Sequence, residues 1–257
     1  MNSFEKQKLS VLIITLNEER YIKSLLEDVD FADEIIVVDS FSSDATAEIV
    51  KSFTNVLFIE NQFKDYTSQR NFALDQAKNE WILFIDADEK LTPQLKEEII
   101  STINNKNSVS AYLMYRTFMF KNSKLHFSGW QTDKIFRLFK KADCSYTEDR
   151  MVHEKLIVNG EIGVLKNKLI HFSYTSYEDY KLKMKKYGIL KASEKKIKGQ
   201  KPSDFLMVFH PIYTFLYQYL IRLGFLDGIK GIIICYLNAY SIYIRYKELK
   251  RITSSKI

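Results

Sequence analysis

The sequence predicts an α/β fold: an open, doubly wound, mostly parallel sheet with a C-terminal helical, membrane-associating extension. Three observations carry this. Short β-branched apolar runs alternate with helical stripes through the first hundred residues. A lysine-rich stretch near residue 190 then holds an excess of positive charge equal to that of the whole chain, +6. A long, nearly uncharged apolar segment follows it.

The apolar runs at residues 9–15, 34–40, 56–61 and 81–87 are almost uninterrupted, the signature of parallel strands buried on both faces. Between the first two, Ile22, Leu25, Leu26 and Val29 fall at i, i+3, i+4 and i+7, one stripe of a helix. Ala45, Ile49 and Phe53 repeat the pattern after Ser42-Ser43-Asp44, which offers capping oxygens. A third helix is expected between Thr67 and Ala77, and a fourth after Thr92-Pro93, with proline in its first turn. This alternating order implies right-handed crossovers. The expected division is a domain over residues 1–175, with halves of about 1–105 and 106–175, and a module over 176–257.

Composition narrows the class. With 257 residues, 46% hydrophobic and 27% charged, the chain is neither disordered nor dependent on a staple. Cys144 and Cys235 stand alone, which excludes a disulfide scaffold and a cysteine zinc site. MNSFEKQK has no apolar core, so no signal peptide is expected and the expected compartment is cytoplasmic.

Ligands of such sheets sit outside the carboxyl ends of the strands. The polar residues there are Thr15, Asn17 and Glu18, then Asp39 and Asp44, then Asp86 and Asp88. Leu16-Asn17-Glu18-Glu19 follows the first strand where a dinucleotide fold would carry G-x-G-x-x-G, and no Walker A sequence occurs. Phosphate must be held another way. Asp86-Ala87-Asp88 offers two hard-oxygen carboxylates at a strand exit, suited to Mg²⁺ or Mn²⁺ shared with substrate phosphates.

Val11–Glu19 (VLIITLNEE), Glu34–Thr46 (EIIVVDSFSSDAT), Gln69–Ala73 (QRNFA) and Trp81–Glu89 (WILFIDADE) together resemble glycosyltransferase family 2, inverting enzymes of GT-A fold. Gly129-Trp130, Phe136–Phe139, Val152-His153-Glu154 and Gly224–Gly228 resemble its bacterial branch that includes lipopolysaccharide-core β-1,4-glucosyltransferases. Phe41 departs from the family, which usually has glycine in this D-x-G-S turn.

The resemblance implies a nucleotide-sugar donor, with UDP favoured, and a hexose, with glucose favoured, moved to a lipopolysaccharide-core or other lipid-linked saccharide. It implies that Asp39 receives a nucleobase N–H, that Thr15 and Glu18 line the base and ribose pocket, and that Arg70 reaches the base or diphosphate. Asp86 would approach the ribose and the metal shell, and Asp88 would coordinate the divalent cation. Inversion needs a base for the acceptor hydroxyl; Glu154 is the first candidate and Asp149 the second. Trp130 is a candidate platform for the acceptor sugar, and Arg137 a candidate contact to acceptor or donor phosphate. His153 has no assigned role; His126, His171 and His210 have no second ligand at metal spacing and read as ordinary.

Nine lysines stand against three acidic residues between Glu178 and Lys201, and Phe205–Ile244 then holds 28 apolar residues of 40. His210-Pro211 interrupts the first apolar run, and neither run reaches the roughly 20 residues of a span. With six tyrosines, this reads as a monotopic anchor on an anionic inner membrane face. The competing readings are a hairpin packed on the domain and a homodimer; the aliphatic content excludes nucleic acid. Competing functions are a nucleotidyltransferase-like or retaining GT-A enzyme, which usually opens on a glycine-rich loop, and a non-catalytic sugar-binding scaffold.

Overall fold

The computed structural model describes residues 6–121, 123–129, 132–146, 156–174 and 176–254. The chain forms two compact units. One holds the chain up to Arg116 together with Lys134–His171, and the other holds Thr117–Asp133 with the chain from Phe172 onward.

The first unit begins with β1 (Leu9–Thr15), α1 (Ile22–Asp28), β2 (Glu34–Asp39), α2 (Thr46–Lys51), β3 (Val56–Glu60), α3 (Tyr66–Gln76) and β4 (Trp81–Asp86). It continues through β5 (Glu89–Lys90) and α4 (Pro93–Ile103). Later strands of the chain are β6 (Ala111–Phe120), β7 (Ser123–Lys124), β8 (Lys134–Lys140), β9 (Cys144–Tyr146), β10 (Leu156–Val158), β11 (Ile162–Val164) and β12 (Leu169–Tyr174), of which β7 and the last residues of β6 and β12 belong to the second unit. The main sheet has the order β3-β2-β1-β4-β8-β6-β12-β5. β1 through β4 are parallel, and β8 pairs antiparallel with both β4 and β6. The sheet is therefore mixed, with its parallel part where the apolar runs predict it.

Both faces of that parallel part are covered. Val11, Ile13, Ile35, Val37, Leu83 and Ile85 pack with Leu25, Val50 and Ile99 from α1, α2 and α4. The alternate residues Leu12, Ile36, Val38, Ile82 and Phe84 pack with Ala73 and Leu74 of α3 on the other side. Strand residues alternate between faces, so a run buried on both must be apolar throughout. Each fully buried aliphatic side chain of this kind contributes about 1.5–3 kcal/mol. The predicted start of α4 holds, with the Thr92 hydroxyl accepting from Leu95 N–H and Pro93 in the first turn, while α3 begins at Tyr66 with Asp65 accepting from Ser68 N–H.

The second unit is built on α5 (Tyr177–Ile197), α6 (Asp204–Leu216) and α7 (Gly228–Ser254). Ser176 caps α5, with Glu178 and Asp179 in its first turn and Lys195 and Lys196 in its last, matching the helix dipole. Gly188 lets α5 approach α7 closely, since a Cβ there would lie 2.6 Å from the Ser241 carbonyl oxygen. His210-Pro211, expected to interrupt the apolar run, lies inside a continuous α6, which passes into a π-helical turn over Tyr217–Ile221. Proline removes one i→i−4 donor without stopping the helix. The inserted segment joins this unit through its backbone: Asp227 accepts from His126 N–H at 3.0 Å and from Phe127 N–H at 2.9 Å.

Candidate active site

Four strand exits line one edge of the parallel sheet. Thr15 stands opposite Asp39, Asp39 opposite Glu60, and Ile14 opposite Asp86. β1 lies between β2 and β4, so the chain leaves it toward one side and returns on the other. Such a switch point opens a crevice at the strand ends.

Two turns at this edge latch together. Asn17 takes a left-handed conformation, and its side-chain oxygen accepts from Ser43 N–H at 2.8 Å. Its own N–H donates to the Ser42 hydroxyl, and Glu18 N–H to that of Thr46. Asp44 accepts from Thr46 N–H just before α2, whose N-cap position is Ala45, and from Glu19 N–H. Asp39 is fully buried, its carboxylate accepting from Ser42 N–H at 2.7 Å and from the Ser42 hydroxyl at 2.6 Å. Thr15 is also buried, and its hydroxyl has no hydrogen-bond partner among the described residues. An orphaned hydroxyl at a strand exit is costly unless a ligand meets it.

Phe41 has φ 61°, the left-handed region that glycine enters freely, and its ring is 58% exposed. The strain costs roughly 1–2 kcal/mol, partly offset in any glycine variant by a looser unfolded chain. Phe41→Gly is therefore expected to raise stability by about 0.5–1 kcal/mol, read as a higher melting temperature. A lower one would mean that the exposed ring contributes more than the strain costs.

The next cluster is ionic. Arg70, buried on α3, donates to Asp86 Oδ1 at 2.8 Å and lies 4.4 Å over the Phe84 ring. Arg137, on β8 and only 1% exposed, donates to Asp86 Oδ2 and, at 2.7 Å, to Glu89 Oε1. Glu89 Oε2 accepts from Asp86 N–H at 3.0 Å, and Arg116 stands 3.6 Å from Oε1. Burial pushes the Asp86 carboxyl up, but Arg137 and Arg70 outweigh it and hold it well below the usual range. Burial raises the Glu89 carboxyl; Arg137 offsets this only in part, and the Asp86 charge adds to the rise. Two carboxylates and three guanidiniums thus clamp the root of the Asp86-Ala87-Asp88 turn.

Three expected site residues, Arg70, Asp86 and Arg137, are thus bound to one another. Arg137 is turned inward onto Asp86 and Glu89 and in this arrangement holds these carboxylates. Asp86 has both oxygens against arginines, a poor arrangement for a metal ligand. Asp88 differs. β5 pairs with β12, setting His171 opposite Glu89, and the His171 Nε2 lies 3.2 Å from Asp88 Oδ2. Both side chains keep some exposure, 12% for His171 and 21% for Asp88. His171 is therefore not the ordinary histidine its sequence surroundings imply; its partner is 83 residues away, and no local pattern announces it. Among the described residues no three His, Cys, Asp or Glu side chains gather as a metal cage. The oxygen–nitrogen pair of Asp88 and His171 fits a divalent cation that takes one or two protein ligands and completes its shell with substrate phosphates.

Glu154, Asp149 and Trp130 lie outside the described residues. The segment carrying both candidate bases joins β9 to β10, and its two flanking residues, Tyr146 and Leu156, are paired. Tyr146 packs edge-on to Phe84, and its ring centroid lies 5.8 Å from the Arg70 guanidinium.

Comparison with known proteins agrees with this architecture. The family model described as glycosyl transferase family 2 matches residues 10–157. The lipopolysaccharide core biosynthesis glycosyltransferase LpsC of Rhizobium meliloti is 28% identical over 253 residues, 94% of each chain. An uncharacterized glycosyltransferase of Rickettsia typhi, RT0209, is 30% identical over 96% of this chain and 88% of its own. The crystal structure of S. aureus TarS 1-349 in complex with UDP shares the fold, with a TM-score of 0.52 and 18% identity over 97% of this chain and 92% of that one.

Proposed function

The chain belongs to glycosyl transferase family 2, a glycosyltransferase of GT-A fold, and from that premise we propose that it moves a hexose, glucose first, from UDP-sugar to a lipopolysaccharide-core or other lipid-linked saccharide, with inversion. Its place of work is the cytoplasmic face of the bacterial cytoplasmic membrane. The observation that carries the reading is the row of strand exits, with an orphaned Thr15 hydroxyl at one end and the Asp88–His171 pair at the other. The LpsC name supports the class of acceptor.

In the proposed reaction, Thr15, Glu18 and Asp39 hold the base and ribose. The Asp39 carboxylate accepts two bonds from Ser42 and has lone pairs left for a base N–H. Arg70, Glu89 and Arg137 fix Asp86 and with it the turn that presents Asp88. Asp88 and His171 would hold the cation, which neutralises charge on the departing diphosphate when bound. The acceptor hydroxyl oxygen attacks C1 from the face opposite the leaving group, the bond from C1 to the phosphate oxygen breaks, and Glu154 takes the hydroxyl proton.

Equilibrium binding of UDP, with GDP, ADP, dTDP and CMP as comparators, tests the donor half. UDP is expected to bind selectively in Mn²⁺ and to be lost in EDTA; a folded chain that binds none of them refutes the reading. Glu154→Gln is expected to keep UDP binding and lose at least about 10²-fold in turnover. Undiminished turnover would move the role to Asp149, tested in the same way with Asp149→Asn.

A further inference from the structure

We propose that the outward face of α6, continued through the turn into the start of α7, is the surface that beds on an anionic bilayer, while α7 is the core helix of its unit and not a membrane span. The proposal takes from the proposed function only the placement at a membrane face.

By length and composition the helical stretch Gly224–Ser254 is, among the described residues, the one candidate to cross a membrane. A third of its most apolar 18-residue part is buried, and the contacts made there argue against a span. Ile234 and Leu237 of α7 pack with Tyr180 and Met184 of α5 and with Phe118, Phe120 and Leu125 of the inserted segment. Asn238, at its middle, accepts from the Tyr180 hydroxyl at 2.7 Å and donates to Gln218 at 2.9 Å. A span would strip these partners away and leave an amide in hydrocarbon, which is costly.

α6 has the opposite character. Its sequence is DFLMVFHPIYTFL, yet none of its residues is buried. It runs antiparallel to α7, tied by Lys250–Asp204 at 2.6 Å, His210–Tyr246 at 3.1 Å and the Gln218–Asn238 bond. Phe205, Phe209, Ile212, Tyr213, Leu216 and Leu220 recur at helical spacing and are each 46–64% exposed. Phe225, Leu226 and Ile229 extend the exposed apolar surface past the turn. A soluble helix turns such a stripe inward, and a patch of this extent in water marks an interaction surface.

Charge and aromatic content select the occupant. Between Phe205 and Ile244 the charged residues are Arg222, Asp227 and Lys230. Asp227 is turned inward onto the His126 and Phe127 N–H groups, so the charges left beside the apolar surface are two cations. Lys198 and Lys201 are exposed just before the helix. Anionic headgroups complement that border, whereas a second copy would bring like charges together. Exposed Tyr213, Tyr217 and Tyr236 suit the headgroup boundary, where a ring is apolar and its hydroxyl stays wet. With its π-helical turn the helix covers Asp204–Ile221, at most about 27 Å, suited to lying in the interface and short of the roughly 30 Å of a hydrocarbon core.

The test is co-sedimentation of the whole chain with vesicles of phosphatidylglycerol and phosphatidylethanolamine, against phosphatidylcholine alone. Binding should favour the anionic vesicles and weaken at about 0.5 M salt. The triple variant Phe205→Ser, Phe209→Ser and Ile212→Ser should partition about tenfold more weakly or worse, with UDP binding unchanged. Cys144 and Cys235 are buried, so Ile212→Cys can carry an environment-sensitive dye as a single label, and its emission should shift to the blue on vesicles. An unshifted dye or undiminished partition of the triple variant overturns the proposal. So does a triple variant that only converts a dimer to a monomer, which gives the face to a second copy. Resistance of the bound chain to alkaline carbonate extraction would make α7 a span after all. A chain that binds vesicles as proposed but never binds UDP leaves this surface standing and removes the proposed reaction.

Discussion

Replacing Arg137 by methionine is expected to cost the first unit about 3–5 kcal/mol of stability, the range for removing one partner of a buried ion pair. The guanidinium is 1% exposed and faces Asp86 and Glu89 together. Methionine fills much of the space but leaves buried Glu89 and half-buried Asp86 within reach of each other, with Arg70 and Arg116 as the remaining counter-charges. The pH dependence has a definite sign. Glu89 is already raised in the native state, and without Arg137 it rises further. A carboxyl with a raised native value favours folding when protonated, and that advantage fades as pH climbs from its unfolded value of about 4.3 through its native one. Asp86 behaves oppositely: its contribution is present above about 3.9 and lost only well below that. The deficit of the methionine variant should therefore be larger at pH 8 than at pH 5, measured by urea unfolding. Arg137→Lys should recover part of it, keeping the charge without the fork. A deficit under about 1 kcal/mol, or one equal at both pH values, would show that Arg137 is not the counter-charge that holds the cluster.

The second large effect concerns Asp88. Asp88→Asn is expected to reduce UDP binding in Mn²⁺ to its level in EDTA, and to cut turnover by about 10³-fold, matching the several kcal/mol a Lewis acid supplies at a leaving group. His171→Ala should weaken Mn²⁺ affinity by about 10–100-fold while leaving metal-free behaviour unchanged. The contrast with Asp86 is informative. Asp86→Asn weakens the charge pairing with two arginines and should show first as lost stability, whereas Asp88 faces His171, so its loss should show first in metal dependence. Wild-type UDP affinity in the Asp88→Asn protein would remove the metal assignment.

The residues by themselves determined the parallel half of the sheet. Val11–Thr15, Glu34–Asp39 and Trp81–Asp86 are apolar at consecutive positions, and Ile22, Leu25, Leu26 and Val29 form one stripe. Burial of both strand faces and of one helix face is a local property, written in the spacing of side chains a few positions apart. The edge that carries Thr15, Asp39 and Asp86 follows from it, because strand exits are where apolar runs stop. Tertiary structure alone decided what those polar residues do. Phe136-Arg137-Leu138-Phe139 looks like a strand with one exposed cation, and only the pairing of β8 between β4 and β6 turns that cation onto Asp86 and buried Glu89. His171 has no ligand near it in sequence, and the β5–β12 pairing brings it to Asp88. The apolar content of Phe205–Ile244 is plain from its letters, but the division of labour between a core α7 and an outward α6 depends on which helix meets α5. Periodicity reports how much of a segment must be buried. Which charge pairs with which is set by register between elements far apart in the chain, where no short-range pattern reaches.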